Sequence, residues 1–255
     1  MITWMGLAST PVQADEIEIR ADEWLPYNGG TNLKPPGYMI EMAIAIAARN
    51  GHTIDYRHMP WDAAKSAVRD GQFDCVVGAY ASEAEGMAVP KRGWGKANNA
   101  FFALNDSQWR YTGMDSLKSV RIGVVDGYDY DDGEFDAYIE ANRNDPSKVV
   151  VVPVVGRAIV KLIARLFGKQ IDVFLEDTNV AASGFAQAKV EPGRIVQVGA
   201  LGEPEDVYIA CTNNAKGQQY VQMFDQGLDQ LASSGELARI LAHYGVADWT
   251  KNVER

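Results

Sequence analysis

The sequence predicts an α/β fold of two similar lobes, each a mostly parallel sheet flanked by helices, with two hinge crossings between them. Apolar strand-like runs alternate with amphipathic helical patterns along the chain, which is typical of parallel sheets covered by helices. The order strand–helix–strand–helix–strand occurs twice. The segments GQFDCVVGAY and GKQIDVFLED, one in each series, resemble each other, and this similarity favours two related lobes.

The first series lies between residues 17 and 80. Residues 38–49 place apolar side chains on one wide face and are followed by Asn50-Gly51, which predicts a helix. A second helix is expected to begin at Pro60-Trp61 and to end near Asp70-Gly71. The strands of this series are predicted at 17–21, 53–58 and 73–80.

The second series begins after residue 117. Apolar residues recur at helical spacing over 157–167, and Gly168 predicts the end of that helix. No low-complexity linker separates the two series, so extended crossings such as 100–104 and 207–212 are expected to join the lobes. The remaining elements are predicted as a helix over 133–142, one or two helices over 218–244, and strands over 120–125, 149–154 and 171–176.

The composition and motifs exclude several classes of protein. A hydrophobic fraction of 47% and a charged fraction of 23% are typical of a globular protein. The net charge of −10, without clustered Lys and Arg, argues against nucleic-acid binding. The sequence has no Walker loop, zinc-ligand cluster or Gly-x-Ser-x-Gly motif, and its three histidines do not resemble a general base beside a nucleophile. We therefore expect no enzyme activity, no cofactor and no metal.

The N-terminus carries a localisation signal. Apolar and small residues are followed by Val12-Gln13-Ala14 and then by Asp15-Glu16, which is the small-x-Ala pattern of a secretory cleavage site. Residues 1–14 are therefore predicted to be the remnant of a signal peptide that lacks its basic region, and the protein is expected in the periplasm. No later run approaches the ~20 apolar residues of a membrane span.

The two cysteines, Cys75 and Cys211, both lie in apolar strand-like runs. In an oxidising compartment they could form a disulfide. Buried free thiols are the favoured interpretation, because cysteine is commonly buried as a small hydrophobic residue.

Several motifs in order along the chain resemble one protein family. The segments DEWLPY, PPGYMIEMAIAIAARNG and MPWDAAKSAVRDGQFDCVVGAY, followed by DSLKSVRIGVVDGYDY and SSGELARILAHYGV, are similar to those of the periplasmic solute-binding proteins that supply polar amino acid ABC transporters. Each motif alone is weak, but the ordered set covers nearly the whole mature chain. The resemblance implies solute-binding protein family 3 and its type II periplasmic binding fold.

The resemblance also implies how the chain is organised and what it binds. A first lobe is expected from residues 15–104 and 207–255, and a second lobe from residues 105–206. A small polar solute would bind in the cleft between them, and a monomer would deliver it to an ABC transporter permease. In this fold Cys211 would lie near Cys75, so a disulfide stays open, although directly paired strands rarely suit its geometry.

One position departs from the family pattern. After the third strand, amino acid binders of the family usually carry a Thr/Ser-x-x-Arg element whose Arg holds the α-carboxylate of the ligand, and Ala84 occupies the Arg position here. A bidentate Arg–carboxylate pair is a strong contact. Either the ligand has no free carboxylate, or another residue such as Lys91 or Arg92 supplies the charge. Glu83 and Glu85 would repel an anion.

The candidate site residues lie in loops that follow strands, because clefts of α/β lobes form at the carboxyl ends of their strands. They are Asp22, Trp24 and Tyr27 after the first strand, Trp61 at the second helix, Tyr80 and Ser82 after the third strand, Gly127, Tyr128 and Tyr130 in the second lobe, and Glu176 and Asp177 at the end of the strand predicted over 171–176.

Several of these residues have a structural alternative. Trp24 could pack at the hinge and Trp61 under its helix, and Asp177 could cap the helix that follows it. The acidic residues around 129–132 could interact with a helix N-terminus. Taken together, the aromatic and acidic residues suit a cation, through carboxylate pairing and cation–π contact, and we state this as a hypothesis.

Two other functions stay open. A sensory module would use the same ligand-driven closure to signal, and the sequence does not separate it from a transport component. A secreted lyase similar to cyclohexadienyl dehydratase is a weaker alternative, because its dicarboxylate substrate calls for basic groups and this cleft is predicted to be acidic.

Overall fold

The computed structural model describes residues 14–154 and 157–252. The predicted signal peptide remnant lies almost wholly outside the described residues. The described residues form ten strands and seven α-helices. They are β1 Glu16–Ala21, α1 Tyr38–Arg49, β2 Thr53–His58, α2 Trp61–Arg69, β3 Cys75–Tyr80, β4 Gly95–Ala97, β5 Asn99–Leu104, β6 Ile122–Val125, α3 Glu134–Asn142, β7 Val149–Val152, α4 Ala158–Phe167, β8 Val173–Asp177, α5 Thr178–Gln187, β9 Ile195–Ala200, β10 Glu205–Cys211, α6 Ala215–Ser233 and α7 Glu236–Tyr244. The predicted strand–helix–strand–helix–strand order occurs twice, from β1 to β3 and from β6 to β8.

The strands form two five-stranded sheets with matching arrangements. The first sheet has the order β2-β1-β3-β10-β4 and the second has the order β7-β6-β8-β5-β9. In each sheet the first three strands are parallel, and the returning strand, β10 or β5, is antiparallel to its neighbour. We call the half built on the first sheet the first lobe and the other half the second lobe. The predicted α/β fold of two similar lobes is confirmed.

Apolar spacing explains the helices that cover the sheets. In α4, Ile159, Leu162, Ile163 and Leu166 recur every three or four residues, and all four are buried. The predicted helical region near the C-terminus is two helices, because Gly235 adopts a left-handed conformation (φ 75°) between α6 and α7. Within the described residues, no helix has the length and apolar character needed to cross a bilayer.

The chain passes between the sheets next to β5 and β10. Strand β4 belongs to the first sheet and β5 to the second, so the change occurs at Asn98. The return occurs in the segment 201–204 between β9 and β10. Residues 100–104, predicted as a crossing of the first lobe, instead pair along their length with β8 and β9 of the second sheet. A run of apolar residues does not indicate which of two sheets it joins.

The favoured interpretation of the cysteines is wrong. Cys75 and Cys211 form a disulfide. They are a directly paired couple in the antiparallel ladder of β3 and β10, which lie at the centre of the first sheet. Direct pairing of the two strands was expected to disfavour a bond, but opposite residues of two neighbouring strands are close enough for their sulfur atoms to meet.

Candidate functional site

A cavity of about 30 Å³ lies between the two lobes, at the carboxyl ends of the strands. That volume is only about two to three times the minimum that a single water molecule needs. The side chains of the two lobes therefore almost fill the cleft. Both lobes line it. The lining residues are Asp22, Trp24, Asn28, Trp61, Val77, Gly78, Tyr80, Glu83, Asn99, Tyr128, Asp129, Tyr130 and Glu176.

The loop after β1 places Trp24 in the cavity. Hydrogen bonds hold the backbone of this loop at both ends. Trp24 N donates to Asn28 O at 2.8 Å, and Met39 N of α1 donates to Tyr27 O at 2.9 Å. Tyr27 stacks on Trp24 with ring centroids 4.1 Å apart and donates its hydroxyl to Lys96 O at 2.7 Å. Tyr27, predicted as a site residue, therefore supports the indole from below and does not line the cavity.

Close approach of this loop to the sheet requires a glycine on β3. Gly78 has a φ of +88°, and a Cβ atom there would lie 3.2 Å from the Trp24 ring and 3.5 Å from Asn28 Oδ1. A side chain at this position would meet both residues and would also strain the backbone. Gly78 thus lets Trp24 and Asn28 approach the end of the strand.

Two buried carboxyl groups, one from each lobe, line the cavity. Asp22 accepts a hydrogen bond from the Tyr128 hydroxyl at 2.9 Å, and Glu176 accepts one from Asp177 N at 2.9 Å and one from Trp24 Nε1 at 3.4 Å. Burial raises the pKa of Asp22 to about 7 and that of Glu176 to about 8, against the effect of these hydrogen bonds. Both carboxyl groups therefore exchange protons near neutral pH.

A third carboxylate, that of Glu83, is fully paired. It accepts from Trp61 Nε1 at 2.5 Å, from Lys65 Nζ at 3.0 Å and from Tyr80 N at 3.0 Å. Lys65 also contacts Asp62 at 3.2 Å, and it reaches Asp129 of the second lobe at 3.6 Å. Burial opposes the charge of Lys65, but Glu83 and Asp62 outweigh it and raise its pKa. Glu83 and Lys65 thus form a buried ion pair at the edge of the cavity.

Side-chain contacts join the lobes across the cleft, and three of them involve charged groups at the cavity. Tyr128 donates to Asp22, Trp24 donates to Glu176, and Lys65 pairs with Asp129. The first of these is a charge-assisted hydrogen bond when Asp22 is ionised. The cavity is therefore closed by polar contacts between groups that a solute could also bind.

The N-terminus of α3 does not offer amides to an anion. Asp136 accepts hydrogen bonds from the backbone amides of residues 130, 131 and 132, and Asp131 accepts from those of residues 133, 135 and 136. Asp131 thus has the structural role stated as its alternative, together with Asp136, whereas Asp129 pairs with Lys65. Gly127, at the edge of the same loop, approaches Asp62 of the first lobe, and a Cβ atom there would lie 3.2 Å from its carboxylate.

Asp177 has the structural role that was its alternative interpretation. Its Oδ1 accepts from Asn179 N and Val180 N, both at 2.9 Å, and caps α5. Its Oδ2 accepts from Asn98 N at 2.8 Å, at the point where the chain changes sheet. Asp177 is fully buried and lies outside the cavity lining. Ser82 is exposed in the turn after β3 and is also outside the lining.

The cations proposed as substitutes for the missing Arg lie elsewhere. Arg92 forms an ion pair with Asp229 of α6, and Lys91 N donates to Asp225 of the same helix. Both residues line a separate surface depression. Ala84 is buried beside the Glu83 turn. Among the described residues, no Lys or Arg lines the cavity.

Of the predicted residues, the cavity brings together Asp22, Trp24, Trp61, Tyr80, Tyr128, Tyr130 and Glu176. The prediction missed Asn28, Val77, Gly78, Glu83, Asn99 and Asp129. Asn99 donates to Tyr130 O at 3.1 Å and to the Tyr80 hydroxyl at 3.3 Å. An Asn at the start of an apolar strand that leaves the first lobe was a usable signal, whereas Asn28 follows a turn and carried none. Among the described residues, no group of three or more His, Cys, Asp and Glu side chains is placed to hold a metal ion.

Two sheet-bearing lobes with a polar cavity between them define the class of two-lobed solute-binding proteins. The family model of bacterial extracellular solute-binding proteins, family 3, matches residues 19–247, so the chain belongs to that family. The resemblance stated from the motifs is confirmed. No curated protein sequence matches the chain.

Several solved structures share the fold. A histidine kinase sensor domain with similarity to periplasmic binding proteins superposes with a TM-score of 0.70 at 18% identity, covering 90% of this chain and 95% of its own. An ancestral arginine-binding protein bound to arginine superposes with a TM-score of 0.70 at 16% identity, covering 91% of this chain and 99% of its own. The substrate binding protein of an amino acid ABC transporter superposes with a TM-score of 0.67 at 15% identity, also covering 91% of this chain and 99% of its own. At these identities the likeness shows the type II periplasmic binding fold.

Proposed function

We propose that this protein captures a small polar solute between its lobes in the periplasm and, as a monomer, delivers it to the permease of an ABC transporter. The observation that carries the proposal is a cavity lined by both lobes and crossed by the hydrogen bonds Tyr128–Asp22 and Trp24–Glu176. A solute that replaces these bonds with its own contacts holds the two lobes together. Differential affinity for the closed form is what drives closure.

The hinge of this motion is proposed to lie at the two places where the chain changes sheet. One is Asn98, whose amide is held by Asp177. The other is the segment 201–204, where Leu201 N donates to Asn99 O at 2.8 Å. The two crossings are adjacent, so one rotation about them separates the lobes without breaking either sheet. The proposed lobes are 14–97 with 205–252, and 99–200.

Membership of the solute-binding family and the likeness to an ABC transporter component support delivery to a permease. The likeness to a sensor domain supports a second candidate, in which closure signals instead. Both functions need the same closure, so only a cellular readout separates them. The lyase alternative is not proposed, because the described residues bring no cation to the cavity that could hold a dicarboxylate.

Two measurements test the proposal. A thermal-shift screen of the purified chain against amino acids, amines, polyamines and sugars should find a solute that raises the melting temperature by several degrees at about 100 times its Kd. Cells that lack the gene should then lose uptake of that solute, and the protein should appear in the osmotic-shock fraction. Normal uptake with loss of a solute-dependent transcriptional response would identify a sensor. Failure of every solute to stabilise the chain would refute solute capture itself.

A further inference from the structure

The carboxyl groups of the cavity outnumber the cations beside it. Asp22, Glu83, Asp129 and Glu176 line it, and Lys65 neutralises Glu83 and contacts Asp129. Within the described part of the chain, Asp22 and Glu176 form no ion pair with a Lys or Arg. These two groups therefore lack a counter-charge, and a buried carboxylate is costly without one.

A buried acceptor in the same cavity has no donor. Asn28 is only 1% exposed, and no residue of the described chain donates to its Oδ1. The amide orientation is set by its nitrogen, which donates to Asp22 O and to the Tyr56 hydroxyl. A buried acceptor without a partner loses free energy on the order of 1–3 kcal/mol. The cavity therefore calls for a ligand that carries hydrogen-bond donors.

Aromatic rings enclose these acceptors. Trp24, Trp61, Tyr80, Tyr128 and Tyr130 line the cavity, and Trp24 and Tyr80 meet edge to face with centroids 6.4 Å apart. One cation already uses this environment, since Lys65 Nζ lies 5.3 Å from the centroid of the Trp61 ring. Aromatic faces attract cations more strongly when water is excluded.

The described residues offer no partner in the cavity to an anionic group. The amides at the start of α3 are occupied by Asp131 and Asp136, Ala84 offers no charge, and Lys65 is held by carboxylates. A carboxylate on the ligand would lie among acidic side chains without a counter-ion. The volume of about 30 Å³ leaves room for a compact group only.

From these observations we infer that the solute is an organic cation with a compact N–H-bearing head, an alkylammonium or a guanidinium, that carries no carboxylate. The inference rests on the proposed function, because it names the solute class of the same cavity. The cationic head binds between Asp22 and Glu176, donates to Asn28 Oδ1, and is enclosed by Trp24 and Tyr80. Its positive charge supplies the counter-charge that these two carboxyl groups lack among the described residues.

Two ligand pairs that differ only by a carboxylate test the inference by calorimetry on the full chain at pH 8. Agmatine should bind about tenfold or more tightly than arginine, and methylguanidine about tenfold or more tightly than guanidinoacetate. Tetramethylammonium, which has the charge but no N–H donor, should bind about tenfold or more weakly than methylguanidine. Glu176→Gln should weaken agmatine binding by a similar factor. The control Glu191→Gln removes the same charge from an exposed position and should leave it unchanged.

Each contrary result has a definite meaning. Binding of arginine or guanidinoacetate as tight as that of its partner overturns the inference, and so does binding of neutral amino acids without binding of the amines, while solute capture stands in both cases. Equal binding of tetramethylammonium overturns the requirement for donors. If none of these probes binds, the inference fails, and solute capture is then decided by the wider thermal-shift screen.

Discussion

At the scale of single residues, the carboxylate of Glu83 has the most complete set of partners in the cleft. Trp61, Lys65 and the amide of Tyr80 all donate to it, and Glu83 and Lys65 are 7% and 6% exposed. Arg69, which lies on α2 with Trp61 and Lys65, donates to the Glu83 carbonyl at 2.6 Å. The network joins α2 to the turn after β3, so its first role is to hold the position of Trp61 at the edge of the cavity.

Replacing Lys65 tests this role. Lys65→Met leaves the buried Glu83 carboxylate without its counter-charge, so the free energy of unfolding should fall by about 3–5 kcal/mol, as measured by urea unfolding at pH 7. Lys118→Met is the control, because the Lys118–Asp115 pair is exposed and its loss should leave the free energy of unfolding nearly unchanged. Equal effects of the two substitutions would show that the buried pair contributes no more than a surface pair.

Protonation of Glu176 predicts a pH dependence of stability. Its pKa of about 8 in the folded chain exceeds the ordinary 4.5, so the folded state holds a proton that the unfolded state has released. The free energy of unfolding of the ligand-free protein should therefore fall as the pH rises from about 5 to about 8. The titratable groups that face Glu176 are Asp22 from the first lobe, Asp177 from its own strand, and Tyr80, Tyr128 and Tyr130.

Glu176→Gln removes this titration. From about pH 5 to about pH 8, the free energy of unfolding of the variant should fall by about 2–4 kcal/mol less than that of the wild type. Urea unfolding at each pH measures the difference. Glu191→Gln should keep the wild-type slope, because Glu191 is exposed. Parallel wild-type and Glu176→Gln profiles would show that the carboxyl group is ionised throughout. Asp22 titrates in the same range and limits how flat the variant profile becomes.

At the scale of elements, Asp177 joins the start of α5 to the first crossing. Asp177→Ala should lower the free energy of unfolding by about 1–3 kcal/mol, because three backbone amides lose their acceptor. Asn214→Ala at the start of α6 is the comparison, since it accepts from one amide only and should cost about 1 kcal/mol. Calorimetry should find solute affinity retained in Asp177→Ala, and a selective loss of affinity at unchanged stability would return Asp177 to the binding site.

The disulfide between β3 and β10 predicts a large stability difference between redox states. The cysteines are 136 residues apart, so the bond restricts the unfolded chain strongly. Reduction should lower the free energy of unfolding by about 2–5 kcal/mol. The measurement compares urea unfolding with and without dithiothreitol, and the variant Cys75→Ala with Cys211→Ala should not respond to the reductant. An unchanged wild-type transition after verified reduction would contradict the prediction.

At the scale of the whole molecule, the contact between Tyr128 and Asp22 contributes to closure. Tyr128→Phe removes a hydrogen bond to a carboxyl group, and a loss of about 1.5 kcal/mol would shift the balance towards open forms about tenfold. Small-angle scattering of the ligand-free variant should therefore give a larger radius of gyration. Tyr138→Phe is the matched control, since among the described residues nothing hydrogen-bonds the Tyr138 hydroxyl. Equal radii for the two variants would show that this contact does not hold the lobes together.

The sequence by itself determined the two strand–helix–strand–helix–strand series and their order, whereas β4, α5 and β9 were not predicted. Helices such as α1 and α4 follow from apolar spacing and terminal signals, both local properties, and the motifs were enough to predict the family. Seven of the eleven predicted site residues line the cavity, because loops at the carboxyl ends of parallel strands converge whatever their length.

Only the tertiary structure decided how distant residues pair. The disulfide, the partners of Glu83 and the capping role of Asp177 each depend on which strands become neighbours, and neighbouring strands come from segments far apart in sequence. The same reason explains why β5 joined the second sheet and why, within the described residues, no cation lines the cavity. The residue type determines the sign of a charge. Whether that charge is available to a solute depends on the partners that folding brings to it.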